Sequence, residues 1–141
     1  MQRQRWSKYN VKDKRATILV VDDTPDVLLL MVRVLSSRGY RVVSASNGQE
    51  ALEQMQQAHP DLVLLDLSMP MLNGWDTLSA IRQFAQSASL PVIAVTAHAM
   101  SDDREAVLLH GFNGYITKPL DMRLFLDTIS ATLQSAMQQR P

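Results

Sequence analysis

Four short apolar runs in this 141-residue chain lead into side chains able to do chemistry. Asp22 and Asp23 follow TILVV (17–21), and Asp66 follows DLVLL (61–65). Thr96 follows PVIAV (91–95), and Lys118, with Pro119 behind it, follows GYIT (114–117). An ionised carboxylate near a buried strand is costly unless it is paired, hydrogen-bonded or metal-bound. Taken singly, each residue has a plain structural role: Asp22 or Asp23 can cap the helix beginning at Pro25, Thr96 can be a strand residue, and Lys118 a solvated charge. Brought to one place, three carboxylates repel one another unless cations join them. A hard divalent ion and one ammonium neutralise three carboxylates, and oxygen-only ligands with room for water suit Mg²⁺.

The elements that would gather these residues are legible from periodicity. From residue 16 onward, β-rich runs (17–21, RVVS at 41–44, 61–65, 91–95 and 114–117) alternate with helical patterns, the signature of a parallel sheet covered by helices on both faces. Near-continuous Val, Ile and Leu in the runs predicts strands buried on both sides. Leu28, Met31, Val32 and Leu35 recur at helical spacing, as do Met122, Phe125, Leu126, Ile129 and Leu133. Pro25 suits a first helical turn, Asn47 with Glu50 resembles a capping box, and Gly39 and Gly111 stand where helices end. Five strand–helix units result, an α/β doubly wound sheet. In such sheets the site lies beyond the carboxyl ends of the strands, which is where the polar residues above fall.

Composition narrows the chemistry further. With no cysteine, a disulfide framework and thiolate metal sites are excluded, and His59, His98 and His110 are too far apart for a metal-spacing motif. The longest aliphatic stretch, Val27 to Val32, is far short of the ~20 residues of a membrane helix, so no membrane insertion and a cytoplasmic location are expected. Net charge is zero but uneven. Residues 1–15 hold six Lys/Arg against one Asp, leaving +5, and the remainder holds eight basic against thirteen acidic residues, leaving −5. The reading is a basic, flexible extension (1–15), a globular domain (16–136) and a short tail (137–141). Contact of the extension with an acidic partner, nucleic acid or a membrane surface is weakly signalled, as is a transit-peptide likeness.

The segments ILVVDD, LVLLDLSMP, Asn73-Gly74, VIAVTA and GYITKPL, in this order and at these intervals, together resemble the receiver domain of two-component response regulators. The resemblance spans about residues 16 to 136 and implies a flavodoxin-like (βα)5 fold with strand order 2-1-3-4-5. It further implies that Asp66 accepts a phosphoryl group from a phosphohistidine of a sensor histidine kinase or histidine phosphotransfer protein. Asp23 and Asp66 would bind Mg²⁺ directly (Mn²⁺ substituting), Asp22 through water, and the Ser68 carbonyl would complete the protein ligands. Thr96 would bond a phosphoryl oxygen, Lys118 would pair with the anion, and Ala97 would leave space beside them. Tyr115 matches the aromatic switch position that answers Thr96, and the Lys118–Pro119 bond is expected to be cis. Ser68 and His98 look like positions flanking the path of attacking water, a surface role for His98 carrying equal weight. Trp75, Met69 and Met71 read as packing or loop residues.

Other classes fit less well. A haloacid dehalogenase-like phosphatase needs a second acid two residues past its nucleophile, where Ser68 stands. A nucleotide- or flavin-binding protein wants a glycine-rich phosphate loop, which the five glycines do not form. An unphosphorylated interaction module has no need of Asp22, Asp23, Thr96 and Lys118 together. After the last helical pattern only QSAMQQRP remains, too short for an output domain. The expectation is therefore a stand-alone receiver that catalyses only its own phosphorylation and dephosphorylation and signals to a downstream protein target, direct DNA binding being disfavoured. A receiver excised from a hybrid histidine kinase is the alternative. In this family the fourth helix, fifth strand and fifth helix often form a partner or dimer face.

Overall fold

The computed structural model describes residues 16–68, 73–83, 89–97 and 101–138. The basic extension, Met69, Met71 and His98 lie outside them. The chain alternates β1 (Thr17–Val21), α1 (Pro25–Ser37), β2 (Arg41–Ala45), α2 (Gly48–Ala58), β3 (Leu62–Asp66), α3 (Gly74–Arg82), β4 (Val92–Thr96), α4 (Ser101–Leu109), β5 (Gly114–Thr117) and α5 (Met122–Gln138). All pairings are parallel and the order is β2-β1-β3-β4-β5, as the resemblance implies.

The aliphatic runs become strands because they can be buried on both faces: every residue of β1, β3 and β4 is buried. The edge strands β2 and β5 are only partly buried, so the expectation of two-sided burial fails there. Alternate strand residues split the core in two. Ile18, Val20, Leu62, Leu64, Ile93 and Val95 meet Met31 and Leu35 of α1 and Phe125, Ile129 and Leu133 of α5. Leu19, Val21, Val63, Leu65, Val92 and Ala94 meet Ala51 and Met55 of α2, Leu78 and Ile81 of α3, and Val107 of α4. Burying each such side chain contributes roughly 1.5–3 kcal/mol, so the periodic apolar positions hold the helices to the sheet.

Local signals set the helix limits. Pro25 stands in the first turn of α1, and Gly39 and Gly111 adopt φ of 92° and 106°, open to glycine at little cost after a helix. The Asn47 side chain accepts the Glu50 amide at 2.8 Å, while Glu50 Oε1 reaches back to the amide (2.8 Å) and hydroxyl (2.9 Å) of Ser46. This is a capping box displaced by one residue from the usual reciprocal pair.

The boundaries of four elements differ from the sequence reading. Asp66 and Thr96 are the last residues of their strands, not the first beyond them, while Asp61 and Pro91 fall outside. The ladder sets this limit: Leu67 N–H still donates to the Val95 carbonyl (3.1 Å), and Lys118 N–H to that of Thr96 (2.8 Å). β2 runs on to Ala45, paired with Val21. Finally, α5 continues through Gln134 to Gln138, because nothing in QSAMQ stops a helix before Pro141.

Candidate functional site

The ends of β1, β3, β4 and β5 converge at one rim, and the register brings their polar residues together. Val21 pairs with Leu65, so Asp22 and Asp66 end up side by side; Asp66 pairs with Val95, and Thr96 with Thr117. Asp22 is 0 % exposed, Asp66 2 % and Thr96 3 %, values that exclude ordinary surface roles.

Each buried carboxylate is held by the turn that follows it. Asp22 Oδ1 accepts the Thr24 amide at 2.9 Å, and Asp66 Oδ1 accepts the Ser68 amide at 3.1 Å. Neither Asp22 nor Asp23 is the N-cap of α1; Thr24 occupies that place without a side-chain cap bond. The Asp22 carboxylate is committed to a tight turn within the site instead. Lys118 lies 2.9 Å from Asp22 Oδ2 and 3.7 Å from Asp66 Oδ2, its side chain mostly buried. Asp22 Oδ2 meets the ammonium as an ion pair without a directed hydrogen bond, and so keeps acceptor capacity in a dry setting. The Lys118–Pro119 bond is cis, as expected, at the start of the segment that carries the ammonium beyond β5.

Burial raises the Asp66 pKa, and Asp22 and Asp23 raise it further against the lowering effect of the Ser68 amide and Lys118. The site thus disfavours its own negative charge, which an added cation would relieve. Carboxylate oxygens of Asp22, Asp23 and Asp66 lie within 4.8 Å of one another. Mg²⁺ bonds of ~2.1 Å in octahedral geometry separate ligands by about 3–4 Å, so this acidic pocket fits a hydrated hard cation, with a water able to span the widest gap.

α3 begins against this rim. A Cβ built on Gly74 would lie 2.6 Å from the Leu67 Cα and closer still to the Asp66 carbonyl oxygen, so only glycine fits beneath the site. Asn73 caps α3 by accepting the Asp76 amide at 2.9 Å. Beyond Gly74, Trp75 packs on the core, in line with its reading as a packing residue. Tyr115, paired with Ala94, shares the sheet face on which Thr96 ends and is half-buried at the wall of a groove of about 760 Å³. That groove runs between α4 and α5 and is lined by Arg104, Leu108, Pro119, Leu124 and Phe125 among others. Ser68 and Ala97 are exposed at the rim.

The contacts of two residues, Trp75 and Arg82, escaped the sequence reading. The Trp75 ring lies 4.6 Å from His110 and 5.7 Å, edge-on, from Phe112. Arg82 donates to the Gly111 carbonyl (2.9 Å) and Asn113 Oδ1 (2.8 Å), some thirty residues away. A terminal arginine on an amphipathic helix reads as solvated, and nothing in the local sequence signals such a long reach.

The sequence model of the response regulator receiver domain matches residues 18–130. Protein PilH of Pseudomonas aeruginosa is 36% identical over 118 residues, covering 84% of this chain and 98% of PilH. The sensor histidine kinase GacS of Pseudomonas protegens is 39% identical over 109 residues, 75% of this chain but 12% of that kinase. Among solved structures, the chemotaxis response regulator CheY4 of Vibrio cholerae superposes with a TM-score of 0.79 at 27% identity, covering 83% of this chain and 98% of CheY4. With the fold, the acidic pocket and these relatives in agreement, the chain belongs to the response regulator receiver domain family of two-component signalling.

Proposed function

We propose that this chain is a phosphoryl-accepting switch in which Asp66 is the acceptor. One observation carries the reading: Asp66 is buried with Asp22 and Lys118 at one rim, its Oδ1 fixed by the Ser68 amide and its Oδ2 facing the ammonium. An Asp66 oxygen attacks the phosphorus of a phosphohistidine on a sensor kinase or phosphotransfer protein. A P–O bond forms, the P–N bond breaks, and the imidazole leaves with the electron pair. Phosphoryl transfer asks little covalent work of a protein; positioning and charge neutralisation supply the catalysis.

Mg²⁺, or Mn²⁺ in its place, would be held by Asp23, Asp66 and the Ser68 carbonyl, with Asp22 acting through water, and would supply charge neutralisation at the phosphoryl oxygens. Lys118 neutralises the anion, and the Thr96 hydroxyl donates to a phosphoryl oxygen. Moving a two-state population from ~1:99 to ~99:1 takes about 5.5 kcal/mol, whereas one charge-assisted hydrogen bond contributes about 1.5–3 kcal/mol. Thr96 therefore shifts the equilibrium in part, Tyr115 follows, and partner binding completes it. The cytoplasm, where phosphohistidine donors work, is the compartment this reading requires. The groove beside Tyr115 on the α4–β5–α5 face is the surface offered to a downstream protein or a second copy, and Ser68 and His98 tune the lifetime of the phosphorylated state. Incubation with acetyl phosphate and Mg²⁺ tests the reading by intact mass. The wild type gains one phosphoryl group, which chelation or Asp66→Asn abolishes; equal gain by Asp66→Asn rejects it.

A further inference from the structure

α3 touches the turn between α4 and β5 at both of its ends. At its start, Trp75 lies 4.6 Å from the His110 ring and edge-on to Phe112 at 5.7 Å. At its end, Arg82 donates to the Gly111 carbonyl and to Asn113 Oδ1, and the same Asn113 oxygen accepts the Val92 amide at 2.9 Å. The guanidinium also binds the Leu90 carbonyl, tying the entry of β4 into the same cluster. Gly111 stands within this cluster, its carbonyl held by Arg82, with φ of 106° and nothing closer than 4.0 Å to where a Cβ would be. A backbone free of side-chain obstruction at Gly111 is thus held by the Trp75 contacts to the residues on either side of it and by Arg82 at its own carbonyl and at Asn113. α3 is seated in turn against the Asp66 carbonyl through Gly74.

We infer that Trp75 and Arg82 are positioning residues that pin the C-terminal end of α4, so that a displacement arriving from the site tilts α4 about Gly111 instead of translating it. The inference deepens the phosphoryl-acceptor reading and rests on it for the source of the displacement. Thr96 leads toward the start of α4, whereas the pin holds its end. A rigid helix of nine residues, about 13 Å long at 1.5 Å per residue, then moves most near Ser101 and least near Leu109. The groove beside Tyr115 changes width at the end lined by Arg104 and Pro119, while the end lined by Leu108 and Asn113 keeps its shape. A partner reading this surface senses the tilt through the residues near Arg104.

The absence of cysteine makes site-directed spin labelling direct. One label at Arg33→Cys on α1 is paired with a second at Arg104→Cys or Leu109→Cys, all exposed positions. On adding Mg²⁺ and beryllofluoride, the distance change at Arg104 should be at least twice that at Leu109. In the Trp75→Ala/Arg82→Gln background, the two should become equal. Equal changes in the unsubstituted background overturn the inference. Amide exchange of the resting protein tests the pin without any phosphoryl analogue, through the His110, Gly111 and Phe112 amides, which donate to Ala106, Leu108 and Val107. Arg82→Gln should lower their protection about tenfold while leaving α1 unchanged; unaltered protection overturns the pin. Should beryllofluoride fail to bind while the exchange result holds, the pin stands and the phosphoryl-acceptor reading falls.

Discussion

Lys118 stands 2.9 Å from Asp22 but 3.7 Å from Asp66, so the ammonium is closer to Asp22 than to Asp66, the proposed acceptor. The closer pair compensates Asp22, which is wholly buried, and leaves Asp66 the less neutralised of the two. Burial raises the Asp66 pKa, the Asp22 and Asp23 carboxylates add to it, and the Ser68 amide and Lys118 offset it only in part.

Removing the Asp66 charge should stabilise the metal-free protein. A carboxyl whose pKa is higher folded than unfolded binds its proton more readily in the native state, so stability falls as pH rises through the interval between the two values and is regained as pH falls back. Asp66→Asn abolishes that dependence and should raise Tm by a few degrees above pH 6, on the order of 1 kcal/mol. Saturating Mg²⁺ should reverse the ranking by stabilising the wild type alone. Thermal melts with and without Mg²⁺ check both.

Lys118→Met should do the opposite. It leaves Asp22 buried without its cation, at a cost of about 2–4 kcal/mol in chelator, reduced from the fully buried case by the partial exposure of the lysine. Mg²⁺ should restore part of this. Urea denaturation in chelator and in Mg²⁺ measures the difference; equal losses in both would separate the lysine from the acidic pocket.

Gly74→Ala should impair both stability and acceptor geometry, because the added methyl drives into the Asp66 carbonyl and Leu67. Overpacking of this kind costs about 1–3 kcal/mol, and displacement of the acceptor should slow phosphorylation at least tenfold by acetyl phosphate under conditions where the variant remains folded. Circular dichroism with a phosphorylation time course distinguishes the two effects.

The capping pair at α2 predicts an acid-side dependence of its own. Backbone and side-chain hydrogen bonds from Ser46 hold the Glu50 pKa below its ordinary value. A depressed carboxyl contributes stability above the unfolded pKa and loses it as pH falls through the folded one, so Glu50→Gln should flatten the acid limb of the stability curve. Asn47→Ala, which removes the bond to the Glu50 amide, should cost about 1 kcal/mol across the pH range. Melts from pH 3 to 7 check both variants.

Much of the architecture was legible because burial writes itself into spacing. β1 and β5 fall where their apolar runs fall, and Met31, Leu35, Phe125, Ile129 and Leu133 face the core as their periodicity predicts. Asp22, Asp66 and Lys118 converge because parallel strands deliver their carboxyl ends to one rim. What remained hidden depends on three-dimensional approach. Whether Asp66 and Thr96 end their strands or follow them is set by ladder bonds from neighbouring strands, not by their own chemistry. The reach of Arg82 to Gly111 and the tilted ring contact of Trp75 with His110 join positions far apart in sequence, and no period encodes them. Strand order likewise was legible through family resemblance and not through the strands themselves.

Trypsin should release Asp66 in a single peptide running from Val42 to Arg82, which makes the acceptor assignable by mass. After acetyl phosphate and Mg²⁺, borohydride reduction converts an aspartyl phosphate to homoserine. Fragmentation should place homoserine at Asp66 and leave Asp61 and Asp76 unchanged. Homoserine at another position, or an unmodified peptide from protein shown to bind Mg²⁺, would contradict Asp66 as the phosphoryl acceptor.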